Sequence, residues 1–300
     1  MKVGVVVPLG QSGEYAGWDP VTAWGRTMQV ARQAEDLGFE SVWVYDHVQT
    51  LPEPRDEITF ESFMSLAHLG AVTTRVRLGH LVMSAGFRNP ALTAKMISTL
   101  DVHTGGRMEL GIGTGWNRFE WEAYGYGFPS ARDRLGALRD QLEVLTAMMA
   151  PGRASYSGQY ASVADAVNLP GPVQVPRVPI MVGGNGPKVT WRLAARFADE
   201  LNIDGLMPED VAEALPVVRD RCEEIGRDPD SLRVSAHVYG SNSRDEGRPR
   251  VELLTALREL GICRVMTPIR AASESDEALV SFAEDCRAAG AELASPTSGP

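Results

Sequence analysis

Cysteine is scarce: the 300-residue chain has three, Cys222, Cys263 and Cys286. They lie far apart with no Cys-x-x-Cys, which argues against a zinc ribbon and against a disulfide framework. Cys222 and Cys286 fall on apolar stripes of helical period and read as buried thiols. No apolar run reaches the roughly eighteen residues of a membrane span, so no membrane association is expected. The apolar start, residues 1–8, is too short for a secretory signal and reads as a first buried strand. Positive charge is also in short supply. Lys and Arg number 29 against 39 Asp and Glu, a net charge of −10, which weighs against nucleic acid or an anionic membrane as partner. A small anion held by local backbone N–H groups remains compatible with that charge. The five histidines are scattered with no His-x-His or His-Glu-x-x-His, so no metal site is expected. A cytoplasmic enzyme acting on a small-molecule substrate is the expectation.

Hydrophobic residues make up 44% and charged residues 23%, an ordinary globular composition. At about 150 residues per domain the length suggests two domains, but a single α/β barrel also reaches it. Short β-branched runs at 3–8, 41–47, 77–84, 108–114, 179–183, 200–204, 232–239 and 264–268 alternate with amphipathic stretches. Most of the runs are apolar throughout, the mark of parallel strands covered on both faces. Helical stripes lie between them: Leu135, Leu138, Leu142 and Leu145; Val211, Leu215, Val218, Cys222 and Ile225; Leu279, Phe282 and Cys286. This alternation predicts βαβ units. Of a doubly wound sheet and a closed barrel, the number of units favours a (β/α)8 TIM barrel, one domain over 1–294 with a tail at 295–300. Residues 151–177, rich in Pro, Gly, Ser and Ala and carrying Tyr156 and Tyr160, read as an insertion after the fourth helix.

In such a barrel the chemistry sits at the C-terminal ends of the strands. Those ends are polar, aromatic and glycine-rich here. Gly111, Gly113 and Gly115 form Gly-x-Gly-x-Gly, and Trp116 stands where the dinucleotide fingerprint needs its third glycine, so that fingerprint fails. Small residues at a rim instead let a flat ring lie against backbone. Gly183, Gly184, Asn185 and Gly186 lead into Pro187, a favoured first helical residue, and Lys188; free N–H groups at a helix start make an anion site. A Walker loop is absent. Asp46 and His47 are the sharpest polar pair, because an imidazole at a barrel rim suits proton transfer beside a hydride acceptor. His237 and Tyr239 share one face of their strand and are candidates to point into the mouth, whereas His68, His80 and His103 read as structural. Arg88 reads equally as a site residue or as a surface cation. Trp18, Phe87, Trp116, Tyr124 and Tyr126 are expected to wall a substrate pocket. Loops 9–19, 118–128, 153–178 and 239–250 carry no motif that names the substrate.

The segments Ser-Val-Trp-Val-Tyr-Asp-His (41–47), Thr-Gly-Gly-Arg-Met-Glu-Leu-Gly-Ile-Gly-Thr-Gly-Trp-Asn (104–117) and Pro-Ile-Met-Val-Gly-Gly-Asn-Gly-Pro (179–187) resemble the bacterial-luciferase-like superfamily. They are most similar to its branch using coenzyme F420, an 8-hydroxy-5-deazaflavin. The resemblance runs over about 1–290 and implies a (β/α)8 barrel holding a deazaflavin at its top. It implies cofactor contacts from Asp46, Ser84, Ala85, Gly113, Thr114, Gly115, Asn117 and the loop Gly183, Gly184, Asn185 and Gly186, the last four at the phosphate. It places a non-prolyl cis peptide at Ser84-Ala85 and makes His47 the candidate proton relay. Trp18, Phe87, Trp116, Tyr126, His237 and Tyr239 are the expected substrate contacts. Trp116 departs from the sugar-phosphate dehydrogenase branch, which has a glutamate general acid there; Glu120 and Glu122 follow on a helix-like stretch. The implied reaction is hydride transfer between F420 and a small organic substrate, reducing an activated C=C or C=N bond or running in reverse on an alcohol. The alternatives are an FMN-dependent monooxygenase using reduced flavin and oxygen, and a protein that binds cofactor without turnover. Barrels of this kind often pair through outer helices, so a homodimer is expected.

Overall fold

The computed structural model describes residues 1–239 and 246–295. Gly240 and most of the predicted substrate loop after it, and residues 296–300 of the predicted tail, lie outside the described residues. In chain order the strands are β1 (Lys2–Val6), β2 (Ser41–Val44), β3 (Arg77–His80), β4 (Met83–Ser84), β5 (Met108–Gly113), β6 (Arg153–Ser157), β7 (Ser162–Val167), β8 (Ile180–Gly183), β9 (Glu200–Asp204), β10 (Arg233–His237) and β11 (Arg264–Pro268). The helices are α1 (Pro20–Asp36), α2 (Ser62–Val72), α3 (Pro90–Thr104), α4 (Arg118–Ala123), α5 (Ala131–Met149), α6 (Thr190–Phe197), α7 (Pro208–Glu223), α8 (Arg248–Glu259) and α9 (Glu277–Ala288).

Strands β1, β2, β3, β5, β8, β9, β10 and β11 pair in that order, every pair parallel, and β11 returns to β1. The last pairing aligns Lys2 with Arg264 through Val6 with Pro268 and closes the cylinder. A closed (β/α)8 barrel results, with no open sheet edge among these strands. The eight apolar runs become its staves because each is covered by helices outside and by side chains inside. Strands β6 and β7 form an antiparallel hairpin apart from the barrel sheet. Asp140 of α5 pins it, accepting from Tyr156 Oη–H at 2.9 Å and from the Tyr160 backbone N–H at 2.7 Å.

The helical stripes bury as their spacing requires: Leu138, Leu142 and Leu145; Val211, Val218 and Cys222; Leu279, Phe282 and Cys286. Ile225 does not follow, since α7 stops before it and leaves it exposed. All three cysteines are unpaired, and Cys263 is only partly buried. Inside the barrel, Val6, Trp43, Leu81, Met181 and Met266 form a second cluster, with Tyr45 and Val82 packed over it. Gly4 and Gly79 make room there, because a Cβ on either would come within 2.5 Å of the Trp43 indole. Among the described residues no helix is long and apolar enough to cross a membrane.

Candidate active site

Parallel closure gathers the C-terminal ends of all eight strands at one mouth, and the predicted site residues with them. Asp46, just past β2, is buried. Its Oδ1 accepts from Ser62 Oγ–H at 2.6 Å and its Oδ2 from the Ser84 N–H at 3.0 Å. Arg88 grips both oxygens, at 2.7 and 2.9 Å, and also reaches Glu61 at 2.8 Å. Arg88 is therefore no surface cation, and the Asp46 carboxylate serves the rim rather than standing ready for a ligand. The reason is energetic: a buried carboxylate needs a full set of donors. Burial pushes the Asp46 carboxyl up, but Arg88 outweighs it and holds the group below the usual carboxylate range. A depressed folded value means stabilisation fully present above the unfolded value of about 3.9 and lost as pH falls through the folded one. Asp46→Asn is expected to cost about 2–3 kcal/mol at pH 7. Urea unfolding of both proteins at pH 7 and pH 3 should show that gap shrinking in acid.

His47 follows. Its Nδ1 lies 2.9 Å from Glu120 Oε2, and the other Glu120 oxygen accepts the Val48 N–H at 2.6 Å. Glu120 is 1% exposed. Among the described residues Nε2 of His47 has no hydrogen-bond partner, so it is the nitrogen open to a ligand. Trp116 stands edge-on to the imidazole, ring centres 5.8 Å apart, and is itself 63% exposed. Sequence reasoning noted Glu120 after Trp116 but did not pair it with His47. The signal available was Asn117-x-x-Glu120, the pattern of a helix start: the Asn117 side chain accepts the Glu120 N–H and caps α4. That glutamate normally turns back to its own cap, whereas here the first turn of α4 carries it to His47.

Across the mouth, Tyr45 Oη lies 2.8 Å from His237 Nε2, and His237 Nδ1 lies 2.8 Å from Asp204 Oδ1. Tyr239 stacks on His237 with ring centres 4.4 Å apart and reaches Asp204 Oδ2 at 3.5 Å. His237 and Tyr239 thus share the face that their strand period predicts, with Tyr45 and Asp204 as unforeseen partners. The Asn185 side chain has a task that the sequence did not announce. It accepts the Asp204 N–H at 2.9 Å and donates to the Asp204 carbonyl at 2.6 Å, so its amide fastens the loop to the end of β9. The following helix also starts later than Pro187. Residues 187–189 form a turn, α6 begins at Thr190, and Val189 caps it with no side-chain bond.

The non-prolyl cis peptide is Leu81–Val82, not Ser84–Ala85. The pairing with β5 shows why that segment departs from a regular strand. Gly79 pairs with Glu109 and Met83 with Ile112, four steps against three, so one extra residue is accommodated between them. Val82 thereby stands over the mouth. A Cβ on Gly113 would meet its Cγ2 at 2.9 Å, and one on Gly183 its Cγ1 at 2.8 Å. These rim glycines make room for Val82, which forms the floor with Tyr45. Gly115 needs its glycine twice over: φ is +74°, and a Cβ would come 2.5 Å from Ser84 Oγ.

Two buried polar atoms at the rim lack partners, Ser84 Oγ and Asn117 Nδ2. Such atoms are costly unless a ligand or water meets them. Beside them opens a cavity of about 650 Å³ that includes Ala85, Phe87, Thr114, Trp121 and Tyr126. Phe87 and Tyr126 stack there, with ring centres 4.9 Å apart. The other predicted wall residues are placed elsewhere: Trp18 packs on Tyr15 in the loop before α1, and Tyr124 Oη donates to the Val48 carbonyl at 2.9 Å. Of the histidines read as structural, His80 is fully buried against Phe63, and burial pushes its imidazole down to about 4.

A family model described as luciferase-like monooxygenase matches residues 1–292. The chain belongs to that family. Among curated relatives of this luciferase-like chain, an F420-dependent glucose-6-phosphate dehydrogenase of Microbacterium testaceum is 35% identical over 215 residues, 71% of this chain and 62% of the relative. A 5,10-methylenetetrahydromethanopterin reductase of Methanopyrus kandleri is 30% identical over 227 residues, 72% of this chain and 62% of the relative. The match thus spans somewhat under two thirds of either relative. Among solved structures, an F420-dependent secondary alcohol dehydrogenase in complex with an F420-acetone adduct superposes with a TM-score of 0.80 at 18% identity, covering 96% of this chain and 98% of that one. A monooxygenase of Streptomyces bottropensis superposes at 0.73 and 18% identity, covering 95% and 98%. At such identities these two likenesses speak for the fold alone.

Proposed function

We propose that this luciferase-like chain is an oxidoreductase that passes hydride between coenzyme F420 and a small organic substrate, reducing an activated C=C or C=N bond. The observation that carries the reading is the His47–Glu120 pair at the rim of a floor made by Val82 and Tyr45. The relatives named for F420 and the matched motifs support the cofactor. The residues present fit such a group: Ser84 Oγ and Asn117 Nδ2 are buried and unpartnered, and Gly115 takes the positive-φ turn that lets the chain pack closely against Ser84. Ser84, Thr114, Gly115, Asn117 and the backbone of Gly183 and Gly184 would hold it. The deazaflavin supplies hydride at its C5 position when bound.

His47 then has a defined task. Glu120 fixes its Nδ1 and stabilises the imidazolium, so Nε2 delivers the proton that the reduced bond takes up. Both Glu120 oxygens are engaged, by His47 and by the Val48 N–H, so Glu120 serves as the partner of His47 and does not replace the general acid that is absent at Trp116. The cavity wall is aromatic at Phe87, Trp121 and Tyr126 and polar at Asp133, Arg134 and Gln141, which suits a flat substrate that also carries polar groups.

The second reading, an FMN monooxygenase, draws on the family's description as luciferase-like monooxygenase. Fluorescence titration of the purified protein with F420 and with FMN separates the two. Binding of F420 at least about tenfold tighter than FMN, followed by substrate-dependent loss of reduced F420 with a panel of enones and imines, is the expected result. Ser84→Ala should weaken F420 binding about three- to tenfold. Tight FMN binding without F420 binding overturns the reading, as does F420 binding with no turnover across the panel.

A further inference from the structure

Asp204 ends β9, His237 ends β10 and Tyr45 follows β2, yet the three are threaded on one line of hydrogen bonds from rim to floor. The Asp204 carboxylate sets the His237 tautomer: Nδ1 carries the hydrogen and donates at 2.8 Å, leaving Nε2 to accept the Tyr45 hydroxyl at 2.8 Å. Tyr239 stacked on the imidazole, and Asn185 holding both backbone groups of Asp204, keep the line from swinging. Its ends differ. The Asp204 side chain is 46% exposed, whereas Tyr45 packs beside Val82 over the interior cluster. Burial, and then Asp204, push the Tyr45 phenol well above its ordinary range, so it stays protonated at neutral pH; Glu14, Tyr239 and Arg270 are the other charged or titratable groups in its field. A phenol that only tied β2 to β10 would have no need to form the floor of the mouth.

We propose that Tyr45, His237 and Asp204 form a proton wire, distinct from the His47–Glu120 pair, that joins a hydrogen-bonding atom of the bound deazaflavin to solvent at the rim. The inference rests on the F420 reading above. The Tyr45 and His47 rings are 6.5 Å apart, so the mouth has two proton paths side by side. A proton released onto the Tyr45 oxygen displaces the phenol's own proton to His237 Nε2, and the imidazolium is held by Asp204. The reverse passage returns the proton. No bond to carbon changes and no electrons move.

The test uses the whole chain with 15N-labelled histidine, oxidised F420 as the probe, and F420 binding measured separately by fluorescence. Without F420, His237 is expected as the Nδ1–H tautomer. Saturation with F420 is expected to displace its Nε2 resonance. In Tyr45→Phe, which removes one hydroxyl and keeps the packing ring, that displacement should fall to about one third or less while F420 still binds. Should Tyr45→Phe misfold, Asp204→Asn carries the test, with the displacement at least about halved. A His237 resonance that ignores bound F420, or answers it equally in wild type and variant, overturns the wire and leaves the F420 reading intact. Absence of F420 binding overturns both.

Discussion

Replacing His47 with asparagine is expected to lower turnover of reduced F420 by about 10²–10⁴-fold, the range for losing a general acid. Hydride transfer to a C=C or C=N bond leaves a charge that one proton must quench, and His47 Nε2 is the rim nitrogen free to deliver it. The effect should fall on kcat, with F420 binding changed little, because the unpartnered Ser84 and Asn117 atoms are untouched. Glu120→Gln isolates the partner. A glutamine can still accept the Val48 N–H, so the fold of α4 persists, but the charge that stabilises the imidazolium is gone. Turnover should drop about 10- to 100-fold. Steady-state kinetics beside F420 titration and thermal melts check both variants. A His47→Asn enzyme with wild-type kcat would remove His47 from the chemistry.

The largest stability effect is expected at the opposite end of the barrel. Arg264 is 2% exposed and carries Glu109 at 2.7 and 3.1 Å, Glu40 at 3.3 Å and Glu200 at 3.7 Å. Arg77 adds a second guanidinium to Glu109. Burial raises the Glu109 carboxyl, but Arg264 and then Arg77 outweigh it and hold it down at about 2. Glu200 goes the other way, pushed up by burial that Arg264 only partly counters. Arg264→Met leaves two buried carboxylates without their main partner and should cost about 3–5 kcal/mol at pH 7. The triple variant Arg264→Met, Glu109→Leu, Glu200→Gln should recover most of that, since the buried charges leave together and Arg77, partly exposed, keeps the Met108 carbonyl and Gln174 as acceptors. The Glu109 contribution is present above its unfolded value of about 4.3 and disappears as pH falls towards 2, so the gap between wild type and Arg264→Met should narrow in acid. Guanidinium unfolding at pH 7 and pH 3 measures both claims; a single variant within about 1 kcal/mol of wild type would show the cluster to be worth little.

What could be read along the chain depended on range. The eight runs that became staves were visible because a strand buried on both faces must be apolar throughout. Gly113, Gly115 and Gly183 were visible as a glycine-rich rim, though their reason was not. Two of the three make room for Val82, which lies in the irregular link between β3 and β4. Glu120 was invisible as the partner of His47 because 73 positions separate them. Tyr45 and His237 are 192 positions apart, and no local pattern couples them. The side-chain partners of Asp46 and Asn185 were hidden for a related reason: a polar residue at a strand end reads the same whether or not its side chain fastens two loops together.

Alternation of apolar runs and amphipathic stretches therefore determined the strands, the helices and the end of the barrel at which the chemistry lies, since burial on a repeating backbone is written locally. Which polar atoms are already satisfied, which stay open, and which carboxylate serves which imidazole were decided only by closure. The joining of β1 to β11 brings loops from all round the cylinder to one mouth, where hydrogen-bond partners are chosen by distance in space rather than along the chain.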